Sequence, residues 1–293
     1  MMRKRRAESA AARMSKHFAA FSFVDRITEC DTGRSARGQF HVPADVPAFP
    51  ACLVAEAVGQ LAAWVAMDRI AYRGRPVAAL AGETRFLRQV APGDLLELAV
   101  EIEDVDDSAV SYRGWADVRG ERVIELNDCL GPMLPVADFD APEALSERFA
   151  LLRGAGAPAD RFHGLPTAAN EVVEHVPGHS IRALLHVPAS APFFADHFPR
   201  RAVFPATLLL DSQIALATAV ACEAAGNGAI PIPSRMTHVK MRAFIVPGQT
   251  VDSRAEFSGV ESDMVRVALS ARDGEGKTIA TARVELTREG IAQ

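Results

Sequence analysis

The chain has 293 residues, 49% of them hydrophobic, with a net charge of -5 and a pI near 5.9. That length suits two domains or one large one with a sizeable core, and the acidic balance leaves no basic field for nucleic acid. Cys30, Cys52, Cys129 and Cys222 are widely spaced with no Cys-x-x-Cys pair, which reads as reduced thiols in the cytoplasm rather than a disulfide frame or a zinc site.

Met1 to Ala20 opens with Arg3, Lys4, Arg5 and Arg6 and continues through small residues. An organelle-targeting peptide has such a composition. Met14, just ahead of the repeated region, favours instead a disordered tail or a start codon set too early; no apolar signal core follows. No stretch free of charge reaches transmembrane length, so no membrane is expected as a partner.

Phe21 to Phe40 reads as a first strand region leading into a long helix that starts near Pro50. Proline is tolerated there because its missing N–H would have no partner within the helix. Leu53 to Trp64 is apolar nearly all round, as a helix enclosed on every side should be. Strands follow, with Pro92-Gly93 as a turn and alternating character in Leu96 to Ile102. Ala137 to Pro166, with Pro142, Gly154, Gly156 and Pro158, reads as a linker holding one helix. Gly154-Ala155-Gly156 lacks the preceding strand and third glycine of a dinucleotide fingerprint. The order then recurs: a strand region over Val172 to Val187, a helix from Pro205, a turn at Pro247-Gly248 and a strand at Val265 to Leu269.

The recurrence is a duplication. His41-Val42-Pro43-Ala44 matches His186-Val187-Pro188-Ala189 at a shift of 145, as do Gly33 and Gly178, Ser35 and Ser180, and Arg37 and Arg182. Downstream the shift is 155, pairing Phe49-Pro50-Ala51 with Phe204-Pro205-Ala206, Glu56 with Asp211, and Pro92-Gly93 with Pro247-Gly248. The first half thus lacks ten residues, those around Phe193 to Pro199. His41 pairs with His186 and is not a catalytic candidate. The units span residues 21–136 and 166–293, joined by a linker over 137–165.

Phe193-Phe194-Ala195-Asp196-His197-Phe198-Pro199, followed through Pro205 by Asp211 on an apolar helix, resembles the Phe-Phe-x-Gly-His-Phe-Pro active-site stretch of the hot-dog-fold 3-hydroxyacyl-acyl carrier protein dehydratases of fatty acid synthesis. Glu56 with Gln60 four residues later is similar to that family's acid motif; the second half keeps the acid, Asp211, but has Ala215 at the glutamine position. The resemblance covers Phe21 to Pro135 and Pro166 to Thr287. It implies an α+β double hot-dog: two antiparallel sheets, each wrapped around a long central helix, forming a pseudodimer that could assemble further. It also implies dehydration of a 3-hydroxyacyl thioester to the trans-2-enoyl product, in fatty acid or polyketide synthesis, without metal or cofactor.

In that family the histidine of one unit works with the acid of the other, so His197 is expected to pair with Glu56, and Asp211 to be a structural relic or a supporting group. Neutral His197 would remove the C2 proton. Burial would favour protonated Glu56 as the donor to the leaving hydroxyl. Gln60, Phe198 and Pro199 would shape the site, and the helix start would offer free N–H groups at Ala206 and Thr207 to the enolate-like oxygen. Arg200, Arg201, Lys240 and Arg242 are candidates to meet an acidic acyl carrier protein.

Departures from the pattern are Asp196 in place of glycine, Ala51 and Ala206 in place of the glycine after the helix-starting proline, and Arg200-Arg201-Ala202. Asp196 is expected to raise the pKa of His197 and weaken it as a base. Competing readings are a hot-dog thioesterase, whose signature is not a His-Phe-Pro loop, and a non-catalytic carrier-binding scaffold.

Overall fold

A computed structural model describes residues 20–158, 162–164, 170–225 and 230–287. The expected N-terminal tail, up to residue 19, lies outside them.

The first unit runs β1 (Arg26–Asp31), β2 (Ser35–His41), α1 (Ala51–Arg69), β3 (Gly74–Pro76), β4 (Leu80–Phe86), β5 (Leu95–Val105), β6 (Ala109–Val118) and β7 (Glu121–Pro135). A 3-10 turn, Val136–Asp138, and α2 (Pro142–Arg153) then lead to the second unit. It comprises β8 (Asn170–Val176), β9 (Ser180–His186), α3 (Ala206–Ala225), β10 (Ile232–Met241), β11 (Thr250–Glu261), β12 (Met264–Arg272) and β13 (Thr278–Thr287). The first strand region begins later than expected. Phe21, Phe23 and Val24 are buried but precede β1.

The sheet is antiparallel and runs β1-β2-β5-β6-β7-β4-β10-β13-β12-β11-β9-β8, with β3 off the path against β7. Where two sheets were expected, the units share one. The equivalent strands β4 and β10 pair antiparallel, Met236 opposite Thr84 and Val239 opposite Ala81. Joining these edges satisfies the backbone groups that each unit would otherwise leave open. Gly93 (φ +89°) and Gly248 (φ +78°) turn the chain before β5 and β11 in a conformation that side chains disfavour.

Helix α1 begins where Leu53 and Val54 N–H both reach the Pro50 carbonyl. It packs on β2, β5 and β6 and touches α3, which packs on β9, β11 and β12. No residue of α1 before Arg69 is exposed, matching its lack of a polar face. Both helices are long and apolar enough to cross a membrane by length and composition; here that apolar surface is packed against strands. A Cβ at Gly59 would come within 3.3 Å of the Tyr112 hydroxyl, a close approach that favours glycine at a helix-interior position where it costs roughly 1 kcal/mol relative to alanine.

The interval expected as a linker is packed against the core. Phe139, Leu145 and Leu152 are fully buried, and Phe149 stacks on Trp64. Phe162 lies against Phe23 and Phe49. Pro142 opens α2 and Gly154 follows its last residue, and the apolar spacing at 145, 149 and 152 is that of a helix face.

Candidate active site

A cavity of about 240 Å³ lies between the units. From the first unit it takes one face of α1, from Cys52 through Glu56 and Gln60 to Met67, a run of roughly 22 Å at 1.5 Å per residue. From the second it takes Asp196, His197, Phe198, Ala206 and Thr207. The segments around Ala79 and Ala243 complete the wall across the β4–β10 junction. Glu56, Gln60, His197, Phe198, Ala206 and Thr207 therefore share one chamber.

His197 owes its position to the loop that the first unit lacks. Pro192–Ala195 forms a 3-10 turn, and the His197 N–H reaches the Phe193 carbonyl. Its ring Nδ1 lies 3.0 Å from the Val203 carbonyl. A carbonyl can only accept, so Nδ1 carries the proton and the neutral ring keeps its lone pair on Nε2. Burial lowers the His197 pKa, partly opposed by the Glu56 carboxyl and the Val203 carbonyl. Asp196 raises the His197 pKa as expected, but its contribution is the smallest of those acting on the ring, and desolvation makes the net shift downward.

Asp196 instead accepts the Ala20 N–H at 2.7 Å and the Phe21 N–H at 2.9 Å, with the Ser22 hydroxyl at 3.3 Å. A glycine at this position could make none of these bonds. The carboxylate draws the first unit's leading segment over the cavity, and Phe21 packs edge-on to the His197 ring.

Gln60 completes that tie from the other side. Its Oε1 accepts the Phe23 N–H at 2.8 Å, which fixes the amide so that Nε2 donates to the Phe21 carbonyl and to Glu56 Oε1, both at 3.0 Å. The Thr207 hydroxyl lies 2.9 Å from Glu56 Oε2 and donates to it. Each Glu56 oxygen thus has a defined partner, one from each unit. Leu208 and Leu209 N–H go to the Pro205 carbonyl, and Ala206 and Thr207 N–H have no acceptor within α3.

The remaining candidates lie elsewhere. Pro199 is exposed. Asp211 does not line the cavity, and burial raises its pKa. Arg200, Arg201, Lys240 and Arg242 are exposed and do not line the cavity, although their neighbours Phe198 and Met241 do. Arg201 stacks on Phe244 at 4.7 Å, and Arg200 donates to the Ala137 carbonyl.

Sequence reasoning missed Arg75, Asp140 and Arg148. Arg75 lies 4.8 Å over the Phe198 ring, and Phe139 packs on the same ring at 4.8 Å. Phe198 has φ +64°, a left-handed conformation that bulky residues rarely adopt. The ring contacts from 75 and 139 hold it there. Asp140 in turn pairs with Arg75 and Arg148. No short motif marks such a cluster, because its members come from β3, from the segment between the units and from α2.

The arrangement defines a dehydratase of the hot-dog class. A FabA-like domain profile matches residues 16–127, and an ApeI-like dehydratase profile matches residues 173–283. FabZ, the 3-hydroxyacyl-acyl-carrier-protein dehydratase of Bacillus velezensis, is 37% identical over 121 residues, covering 37% of this chain and 85% of that protein. FabZ of Bacillus subtilis is 37% identical over 129 residues, covering 39% and 91%. The chain belongs to this 3-hydroxyacyl-acyl-carrier-protein dehydratase family, with a FabA-like and an ApeI-like dehydratase domain in tandem. Among solved structures, the dehydratase domain of PpsC from Mycobacterium tuberculosis, in complex with C12:1-CoA, aligns with TM-score 0.54 at 16% identity over 92% of this chain and 99% of that one. A putative oleoyl thioesterase from Lactobacillus plantarum aligns with TM-score 0.57 at 10% identity over 88% and 98%. At such identities the likeness is one of fold.

Proposed function

We propose that this protein eliminates water from 3-hydroxyacyl thioesters, and that it does so at one composite site shared by the two units of a pseudodimer. The observation that carries the reading is that Glu56 of the first unit and His197 of the second line the same cavity, each held by a fixed hydrogen bond partner.

His197 Nε2 takes the C2 proton. The C2–H electrons form the C2–C3 double bond as the C3–O bond breaks, and Glu56 protonates the leaving hydroxyl, releasing water. Gln60 donates to Oε1 and the Thr207 hydroxyl to Oε2, and these two bonds orient the carboxyl group for the transfer. The Ala206 and Thr207 N–H groups, without acceptors in the helix, serve as donors to the developing enolate-like oxygen. Low His197 basicity keeps the ring neutral and ready to accept. Asp211 lacks a histidine partner because the first unit lacks the loop, and it serves the fold rather than the chemistry.

The substrate is carried by an acyl carrier protein in the cytoplasm, as fatty acid or polyketide synthesis requires. Arg200 and Arg201 beside Phe198, with Lys240 and Arg242 beside Met241, form the basic rim that meets the acidic carrier. Supplying a 3-hydroxyacyl thioester and following enoyl absorbance alongside free thiol tests the reading. Enoyl formation without thiol release is the expected result. Thiol release alone would identify a thioesterase, and neither signal a carrier-binding scaffold.

A further inference from the structure

Arg75 stands in the wall of the cavity with its guanidinium over Phe198. Stacking occupies the flat face of the group and leaves its in-plane N–H donors available. One of them, on Nη1, reaches Asp140 Oδ2 at 3.5 Å. Arg148 donates to that same oxygen, and the other Asp140 oxygen takes the Ala141 N–H. One carboxylate therefore serves two guanidiniums, Arg148 buried and Arg75 mostly buried, both of which line the cavity. Arg148 directs a further donor to the Ala144 carbonyl. Arg75 has no second acceptor among the described residues.

Burial lowers the Arg75 pKa to about 10 against the pull of Asp140. A desolvated cation with half a counter-ion is costly unless an anion completes it, and strongly perturbed charges facing a cavity are characteristic of binding sites. The next carboxyl within its electrostatic reach is Glu56, already held by Gln60 and Thr207. The open side of Arg75 faces the cavity.

We propose that Arg75 is the binding site for an anionic oxygen carried by the substrate, and that it selects acyl thioesters bearing such a group. The proposal rests on the dehydratase reading only in taking this cavity as the one that the acyl thioester enters. Two parts of such a ligand offer the chemistry: a carboxylate on the acyl chain, or the phosphate that ends a phosphopantetheine arm. Either would form charge-assisted bonds to the planar fork.

Calorimetric titration of the full chain with four saturated acyl amides separates these sources. The acyl groups, of one length, end in methyl or carboxylate, and each is built on pantetheine or on phosphopantetheine. None can be dehydrated, so binding is read whether or not the enzyme turns over. A parallel assay of 3-hydroxyacyl thioesters reports separately on the dehydratase reading. At least one anionic ligand is expected to bind about tenfold more tightly than the neutral one, the scale of a charge-assisted pair. Arg75→Gln should abolish that preference by weakening the anionic ligand about tenfold more than the neutral one, while Arg75→Lys should keep part of it. Wild-type protein that binds all four ligands alike overturns the proposal, and this arm needs no variant to fold. A folded Arg75→Gln protein that weakens neutral and anionic ligands equally overturns it as well, since Arg75 would then act only by supporting Phe198.

Discussion

His197 and Val203 are joined by a hydrogen bond of 3.0 Å from Nδ1–H to a backbone carbonyl six residues on. That bond sets the tautomer. With Nδ1 protonated, Nε2 is the basic nitrogen, and burial keeps its proton affinity low.

The pH dependence follows from this. The folded-state pKa of His197 lies below the ordinary imidazole value of 6.5, so the acid limb of kcat/KM assigned to it should fall below pH 6.5. For stability, the unfolded chain gains a proton near 6.5 that the folded chain still refuses. Stability is full above that value and declines as pH falls toward the folded pKa. His197→Ala should flatten this decline in urea titrations across pH. An acid limb above 6.5 in the wild-type profile would contradict the assignment.

The composite pair gives a second expectation. His197→Ala and Glu56→Gln should each abolish enoyl formation, and the double variant should be little worse than either, because groups acting as a unit are not additive. Asp211→Asn should retain most activity in a folded protein. A dead Asp211→Asn alongside an active Glu56→Gln would move the acid to the histidine's own unit.

At the rim, Arg200→Glu with Arg201→Glu should weaken turnover of carrier-linked substrate more than that of a short thioester analogue. Steering by surface charge acts on the carrier and not on a small neutral molecule. Equal losses on both would place docking elsewhere.

Asp140→Ala should leave Arg75 and Arg148 without their shared counter-ion. Stranding a buried charge costs about 3–5 kcal/mol, read as a lower urea midpoint. Because Arg75 and Phe139 both hold Phe198, the variant should also lose activity at temperatures where it remains folded. An unchanged midpoint would mean that the guanidiniums find other partners.

The sequence by itself determined the duplication, the two helices and the uneven loss between the halves. These are local matters: a fixed shift, an apolar helix face and a ten-residue gap are all visible along one dimension. His197 and Glu56 stood out because each keeps a motif that the other half has lost. Tertiary structure decided how the halves meet. One shared sheet follows from pairing β4 with β10, and nothing in either strand's pattern distinguishes an edge that pairs with its twin from one covered in another way.

Asp196 shows the same limit at the scale of one residue. Along the chain it is a carboxylate next to a histidine, which predicts a raised pKa. In the fold its Oδ2 accepts the N–H groups of Ala20 and Phe21 from the other unit, and desolvation outweighs its charge at His197. Arg75, Asp140 and Arg148 were silent for a related reason. The cost of a buried charge depends on what surrounds it in space, and their partners are brought together only when the segment between the units folds back onto the His197 loop.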